Sequence, residues 1–415
     1  MGVSVQSILQ DHFQDYARSR KLPLKVHRAA KALMTCRTPE QGGHVQSCPD
    51  GHESHVQYHS CRNRSCPRCN SLGKERWVES QQARLLPVDH YHVIFTLPHE
   101  LQLLWKYNTR WFADTLFRVV RETLMALGAD SRHLGGTPGI VMSLHTWGRN
   151  LSLHPHIHSL VTGGALTASG EWKEKKKYLF PYKVVSRLYR GKLLDALDRA
   201  RSKGKLVYPQ GLSEELFPRL MQKLWSKEWQ VSLQPPYEHG RGVVRYLSRY
   251  VKGGPISDHR IKSVKDGRVS ISYKDHRDNR YKVLRLKVEA FLDRLFNHIF
   301  ELGQHTVRHC GLYGHQGKAK RDQVRELLGA APEQAVEPLS WEEFLGTKQG
   351  KAVGCCSVCG QRYVIGVPRV QNSIYKYGVA IPSNMSLKWT EQRGLSKLVH
   401  SPPGEDIFLR LCSAT

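Results

Sequence analysis

Long apolar runs are missing from this chain, and acidic residues are too few to balance its bases. No uncharged stretch reaches the roughly 18–20 apolar residues that a membrane span requires. The first twenty residues mix Gln, Asp, His and Arg, which excludes a secretory signal peptide. The expectation is a cytoplasmic protein with no membrane partner. Internal repeats are also absent, which removes solenoids and propellers. Asp and Glu together number 36 against 63 Lys and Arg, a formal net charge of +27. The bases are spread along the sequence rather than gathered in a tail. A folded chain this cationic calls for a polyanion, and nucleic acid leads because each neutralised phosphate releases condensed counterions. An anionic membrane is the weaker choice, since no basic helix carries an unbroken apolar face.

What is present divides the 415 residues into recognisable parts. Residues 4–34 read as one or two short helices. Residues 35–70 are rich in Cys, His, Pro and Gly with no regular period. YHVIFTL at 91–97 reads as a strand closed by Pro98, and 101–128 has helical spacing ending at Gly128. GIVMSLHTWG and HIHSLVTGG read as a hairpin. Residues 171–229, with KEKKK at 173–177, read as a basic insertion with helices near 183–202 and 213–230. WQVSLQPP is a further strand, and a helix from about Arg241 to Lys252 stops at Gly253-Gly254. RVSISYKD and RYKVLRLK follow as strands before a helix at 287–302. The expected organisation is α+β: a helical arm at 1–34, a zinc-binding module at 35–75, a core at 85–302 and an accessory region at 303–415.

Five of the ten cysteines lie between Cys36 and Cys69, and three more between Cys355 and Cys359. Clustering in a chain of this type favours metal over disulfides. Cys66-Pro-Arg-Cys69 is a knuckle whose turn lets two thiolates face one ion, and a second pair completes a tetrahedral Zn²⁺ site. Cys48 with His52 or with Cys61 is the natural second pair. Cys36 and His44 are additional ligands or the start of a second site. Arg62 and Arg64, set between ligands, are candidate DNA contacts. The C-terminal Cys355-Cys356-Ser-Val-Cys359-Gly has one knuckle, so zinc there requires Cys310, His309 or His315, or a partner chain.

His154-Pro-His156-Ile-His158 is the sharpest signal. In an extended strand His156 and His158 project from one face, and His145 on the preceding strand reaches the same ion across a hairpin. Imidazoles with open coordination positions beside them bind a divalent cation that can also take phosphate oxygens. His154, next to the proline, is placed beside the site or on DNA. RGVVRYLSRYVKGG sets Tyr246 and Tyr250 four residues apart on one helical face, at the edge of an apolar stripe and beside Arg245 and Arg249, with Lys252 following. A phenol of ordinary pKa about 10 needs a nearby cation to become a nucleophile. Its attack on a phosphodiester gives a phosphotyrosine bond and a free 3′-hydroxyl, and the ester bond is conserved for resealing.

The ordered set SCRNRSCPRCN, HVIFTLPHEL, HTWGRNLSLHPHIHSLVTGG and RYLSRYVKG resembles the two-tyrosine rolling-circle transposases of the insertion sequence 91 family, within the HUH endonuclease superfamily. The resemblance covers roughly residues 30–320. It implies a five-stranded sheet of ferredoxin-like or RRM-like topology, with His156 and His158 as the metal pair for Mg²⁺ or Mn²⁺. It also implies Tyr246 and Tyr250 as alternating nucleophiles on single-stranded DNA of element ends and target. Where the family pattern reads Cys-x-x-Cys-Gly-His, this sequence has Cys48-Pro-Asp-Gly51-His52, with His52 as substitute for the missing cysteine. A second copy of the chain is a further candidate partner. Competing readings are a plasmid replication initiator or relaxase with the same chemistry, a non-catalytic zinc-dependent nucleic-acid-binding protein, and a zinc hydrolase. The last needs a carboxylate as general base, and none lies near 145–158 in sequence.

Overall fold

The computed structural model describes residues 2–366 apart from 176–177, 210–213, 238–240, 252, 276 and 350–352, together with the side chains of 241, 246, 249–251, 348 and 349. It divides the chain into two compact units, Met1–Met34 with Arg62–Glu337, and Thr35–Cys61 with Pro338–Thr415.

The larger unit is built on a five-stranded antiparallel sheet. Its strand order is Val307–Gly311, Gly139–Trp147, Leu153–Thr162, His90–Thr96 and Val231–Leu233. The two histidine-bearing strands form the expected hairpin at its centre, and His90–Thr96 flanks them. Alternation along these strands divides the side chains between two faces. Tyr91, Val93, Phe95, Ile140, Met142, Leu144, Ile157 and Val161 point into the main core, with Phe112, Leu116 and Val120 of the helix Thr109–Ala129. That core also takes Val185, Tyr189, Leu193 and Leu197 from the helix Tyr182–Ser202. Part of the stretch read as a basic insertion is therefore integral to the fold, because its helix carries apolar residues at helical spacing beneath the surface lysines.

The single helix expected over 101–128 is two, Gln102–Tyr107 and Thr109–Ala129. Asn108 breaks it: its side-chain amide donates to Leu104 O and Val207 O, and its Oδ1 accepts the Val207 N–H. The basic strands Ile261–Lys265, Arg268–Lys274 and Tyr281–Lys287 make a separate antiparallel sheet, capped by the helix Val288–Phe296. The N-terminal helix Val5–Arg18 starts in a capping box at Ser4 and is fixed in the same unit by Tyr16 Oη donating to Asp293 at 2.7 Å.

The smaller unit holds a three-stranded antiparallel sheet with Gly43–Ser47 in the middle, Ser54–Tyr58 on one side and Val364–Gly366 on the other. Its helix is Trp341–Gln349. Among the described residues of the whole chain, no helix is long and apolar enough to cross a membrane.

Candidate functional site

Register decides which histidines meet. His145 stands opposite His156, Ser143 opposite His158 and Val141 opposite Leu160, while Ile94 and Thr96 of the next strand oppose His158 and His156. Residues directly opposed in an antiparallel pair share a face, so His145, His156 and His158 converge on the side away from the main core. One ring nitrogen from each lies within 4.8 Å of the others. The ring centroids of His145 and His158 are 4.0 Å apart, and those of His156 and His158 are 4.7 Å apart. His145 is fully buried, and His156 at 8 % exposure is the member nearest solvent.

Burial is the first cause of their titration behaviour. It pushes His156 down to about 3 and holds His145 and His158 well below their ordinary value, with neighbouring imidazoles adding to the effect. All three are neutral at pH 7, the form that ligates metal. His156 Nδ1 lies 2.5 Å from the carbonyl oxygen of His154, which fixes the tautomer with the proton on Nδ1 and leaves the Nε2 lone pair available. His154 thus serves through its backbone, and its own half-buried ring sits beside that of His156 at 5.0 Å.

A fourth histidine escaped the sequence reading. His92 Nε2 lies 2.7 Å from His158 Nδ1, with the two rings stacked at 4.9 Å. The available signal was parity: His92 occupies the same face of its strand as Ile94 and Thr96. Burial lowers its pKa to about 4.

The helix Arg241–Val251 packs on this same face. Val243, Val244 and Leu247 are buried in one cluster with Val141 and Leu160, joined by Val78 of the helix Ser71–Arg84. Arg245 is exposed and pairs with Glu75 at 3.2 Å. The helix ends where expected: Gly253 has φ +139° and donates its N–H to Arg64 O at 3.1 Å. A Cβ on Gly254 would meet Ser65 O at 2.2 Å, so backbone passes against backbone there. The side chains of Tyr246, Arg249 and Tyr250, and Lys252 altogether, lie outside the described residues.

Arg62 is exposed. Arg64 is different. Its guanidinium donates to Gln304 O at 2.9 Å and Thr306 Oγ1 at 2.5 Å and lies over the Phe300 ring. Burial lowers its pKa, and these internal partners give it a structural use in place of the DNA contact expected of it.

In the smaller unit the Cys36 and Cys61 sulfurs lie within 4.8 Å of each other, and in the larger unit so do those of Cys66 and Cys69. Cys48 and His52, which the sequence assigned to the Cys66-Pro-Arg-Cys69 knuckle, lie instead with Cys356 and Cys359. This corrects the partners expected for the C-terminal knuckle as well. Antiparallel pairing of Val364–Gly366 with Gly43–Ser47 brings the two ends together, a juxtaposition that local spacing does not encode. Of the alternatives named for that knuckle, His309 is engaged by Gln81 Oε1 at 2.7 Å.

The family described as "Transposase zinc-binding domain" matches residues 8–97, and the family described as "Putative transposase" matches 139–321, which includes the histidine hairpin and the helix at 241–251. "Putative transposase y4qJ" of Sinorhizobium fredii (strain NBRC 101917 / NGR234) is 33 % identical over 378 residues, covering 88 % of this chain and 95 % of the relative. The "Transposase for insertion sequence element IS801" of Pseudomonas savastanoi pv. phaseolicola is 30 % identical over 345 residues, 80 % of this chain and 81 % of the relative. No solved structure gives a significant match. Two family matches and these near full-length relatives place the chain in the IS91 family of transposases.

Proposed function

We propose that this transposase, whose partner is DNA, cleaves and religates single-stranded DNA through a 5′-phosphotyrosine intermediate, in the manner of rolling-circle transposition. The observation that supports the reading most is the sharing of one sheet face by His145, His156 and His158 and by the helix that carries positions 246 and 250. Tyr246 or Tyr250 supplies the nucleophile. Its phenol gives up a proton to solvent as the oxygen bonds phosphorus, the P–O3′ bond breaks, and the 3′ oxygen leaves as a hydroxyl. Reversal by a 3′-hydroxyl of another end displaces the tyrosine and joins the strands. A second tyrosine one helical turn away lets one hold the donor while the other cleaves the next junction.

The three neutral imidazoles fit a divalent cation with open positions, and an all-nitrogen donor set favours Mn²⁺ over Mg²⁺. Bound there, such an ion supplies positive charge against the phosphate oxygens. His145, His156 and His158 hold it, His92 and the His154 carbonyl orient the rings, and Arg62 with Arg245, Arg249 and Lys252 receives the DNA backbone. Zinc in the cysteine-rich module belongs to the same reading, since the matched zinc-binding domain contains Cys36, Cys61, Cys66 and Cys69. Among the described residues the metal cluster consists of three histidines with no carboxylate in the group; a zinc hydrolase would need one as general base.

The test uses a single-stranded oligonucleotide carrying the element's end. Wild type with Mn²⁺ is expected to give an SDS-resistant protein–DNA adduct. Chelation or His156→Ala with His158→Ala is expected to lower it by at least about 100-fold while DNA retention persists. Undiminished adduct in the histidine double variant contradicts the metal site.

A further inference from the structure

We propose that Cys48, His52, Cys356 and Cys359 form a discontinuous zinc site that staples the C-terminal strand Val364–Gly366 to the zinc-module hairpin. It is separate from the tyrosine chemistry and from the pairs Cys36–Cys61 and Cys66–Cys69.

Two loops of similar build present the ligands. In the first, Gly51 at φ +77° donates its N–H to Cys48 O at 3.0 Å, and Cys48 N–H donates to Glu53 O at 2.9 Å, closing the turn between Gly43–Ser47 and Ser54–Tyr58. In the second, Gly360 at φ +75° donates to Cys356 O at 3.0 Å, and Cys356 N–H donates to Gln361 O at 2.8 Å. The Val358 N–H also points at Cys356 Sγ at 3.4 Å, a donor suited to a metal-bound thiolate. Glu53 joins the two loops: its carboxylate accepts from the Ser357 N–H and the Tyr363 hydroxyl, each at 2.6 Å.

Cys48 Sγ then lies 3.4 Å from Cys359 Sγ and 3.4 Å from His52 Nδ1, and all four ligand atoms are within 4.8 Å of one another. Ligands on a tetrahedron with bonds of about 2.3 Å stand roughly 3.5–3.8 Å apart. The sulfur separation is far beyond the about 2.05 Å of a disulfide. Three thiolates and one imidazole make a closed coordination sphere, so the site is structural: it holds the strand Val364–Gly366, which pairs with Gly43–Ser47.

Thiol footprinting of the full-length protein with N-ethylmaleimide tests this without any variant. Cys359 is the exposed member of the set, so bound zinc is expected to change its labelling most visibly. In the zinc-loaded chain Cys48, Cys356 and Cys359 are expected to be protected together, and all three to become reactive together when zinc is stripped. Native mass spectrometry then counts metal: Cys48→Ser and Cys359→Ser should each lose one zinc, the double variant should lose that same one, and His52→Cys should keep it. Rapid labelling of Cys359 in the folded, zinc-loaded chain overturns the proposal. So does an unchanged zinc count in Cys359→Ser, or additive loss of two in the double variant.

Discussion

His92 and His158 meet nitrogen to nitrogen at 2.7 Å deep in the sheet. With both neutral, one ring must donate and the other accept. A metal-facing Nε2 on His158 requires its Nδ1 to carry the proton, with His92 as acceptor. His92→Ala is therefore expected to raise the Mn²⁺ concentration needed for cleavage by about 10–100-fold with oligonucleotide affinity unchanged, and His92→Gln to recover part of the loss. An unaltered metal requirement would mean that the contact is mere packing. The position of Arg64 among zinc-module cysteines suggests a DNA contact, yet its bonds to Gln304 and Thr306 make it a brace for the loop that receives the end of the 241–251 helix.

Among the described side chains of the helix Arg241–Val251, the apolar Val243, Val244 and Leu247 hold it on the sheet, together with its close end at Gly253-Gly254. Leu247→Ala removes a fully buried side chain, which costs about 2–5 kcal/mol in such settings. The variant is expected to show a lower urea midpoint and slower adduct formation, whereas an exposed change, Arg245→Gln, should leave the midpoint unmoved. Equal midpoints for Leu247→Ala and wild type would dissolve the link between helix packing and reaction. The apolar stripe of this helix and the alternation of the histidine strand were legible because helix and strand periods are local. The break at Asn108 was not, since Val207 supplies its partners from a distant segment. The meeting of Cys48 with Cys359 was hidden for the same reason: sheet pairing joins segments more than 300 residues apart. His92 stood between these cases, on a strand recognised as such but without the register that aims it at His158.

At the scale of the molecule, buried histidines couple stability to pH. Burial pushes His298 and His309 down to about 4 in the folded chain, against an ordinary value of 6.5. The unfolded chain therefore takes up protons first as pH falls. Stability present above pH 6.5 is expected to drain away between about 6.5 and 4. Urea midpoints at pH 7.5 and 5 check the sign, and His309→Gln should flatten the dependence; a midpoint that rises on acidification contradicts it. The charge of +27 told the class of partner before any fold was known. It could not say how the chain divides, because segments 35–61 and 338–366 share a unit only through long-range pairing. In the proposed reaction a phenol on the 241–251 helix attacks DNA beside the imidazole cluster. Mass spectrometry of the nuclease-trimmed adduct tests it most directly. The account predicts a nucleotide 5′-phosphate on Tyr246 or Tyr250, and none after both are changed to Phe; DNA on any other residue, or an adduct that survives in the double variant, contradicts it.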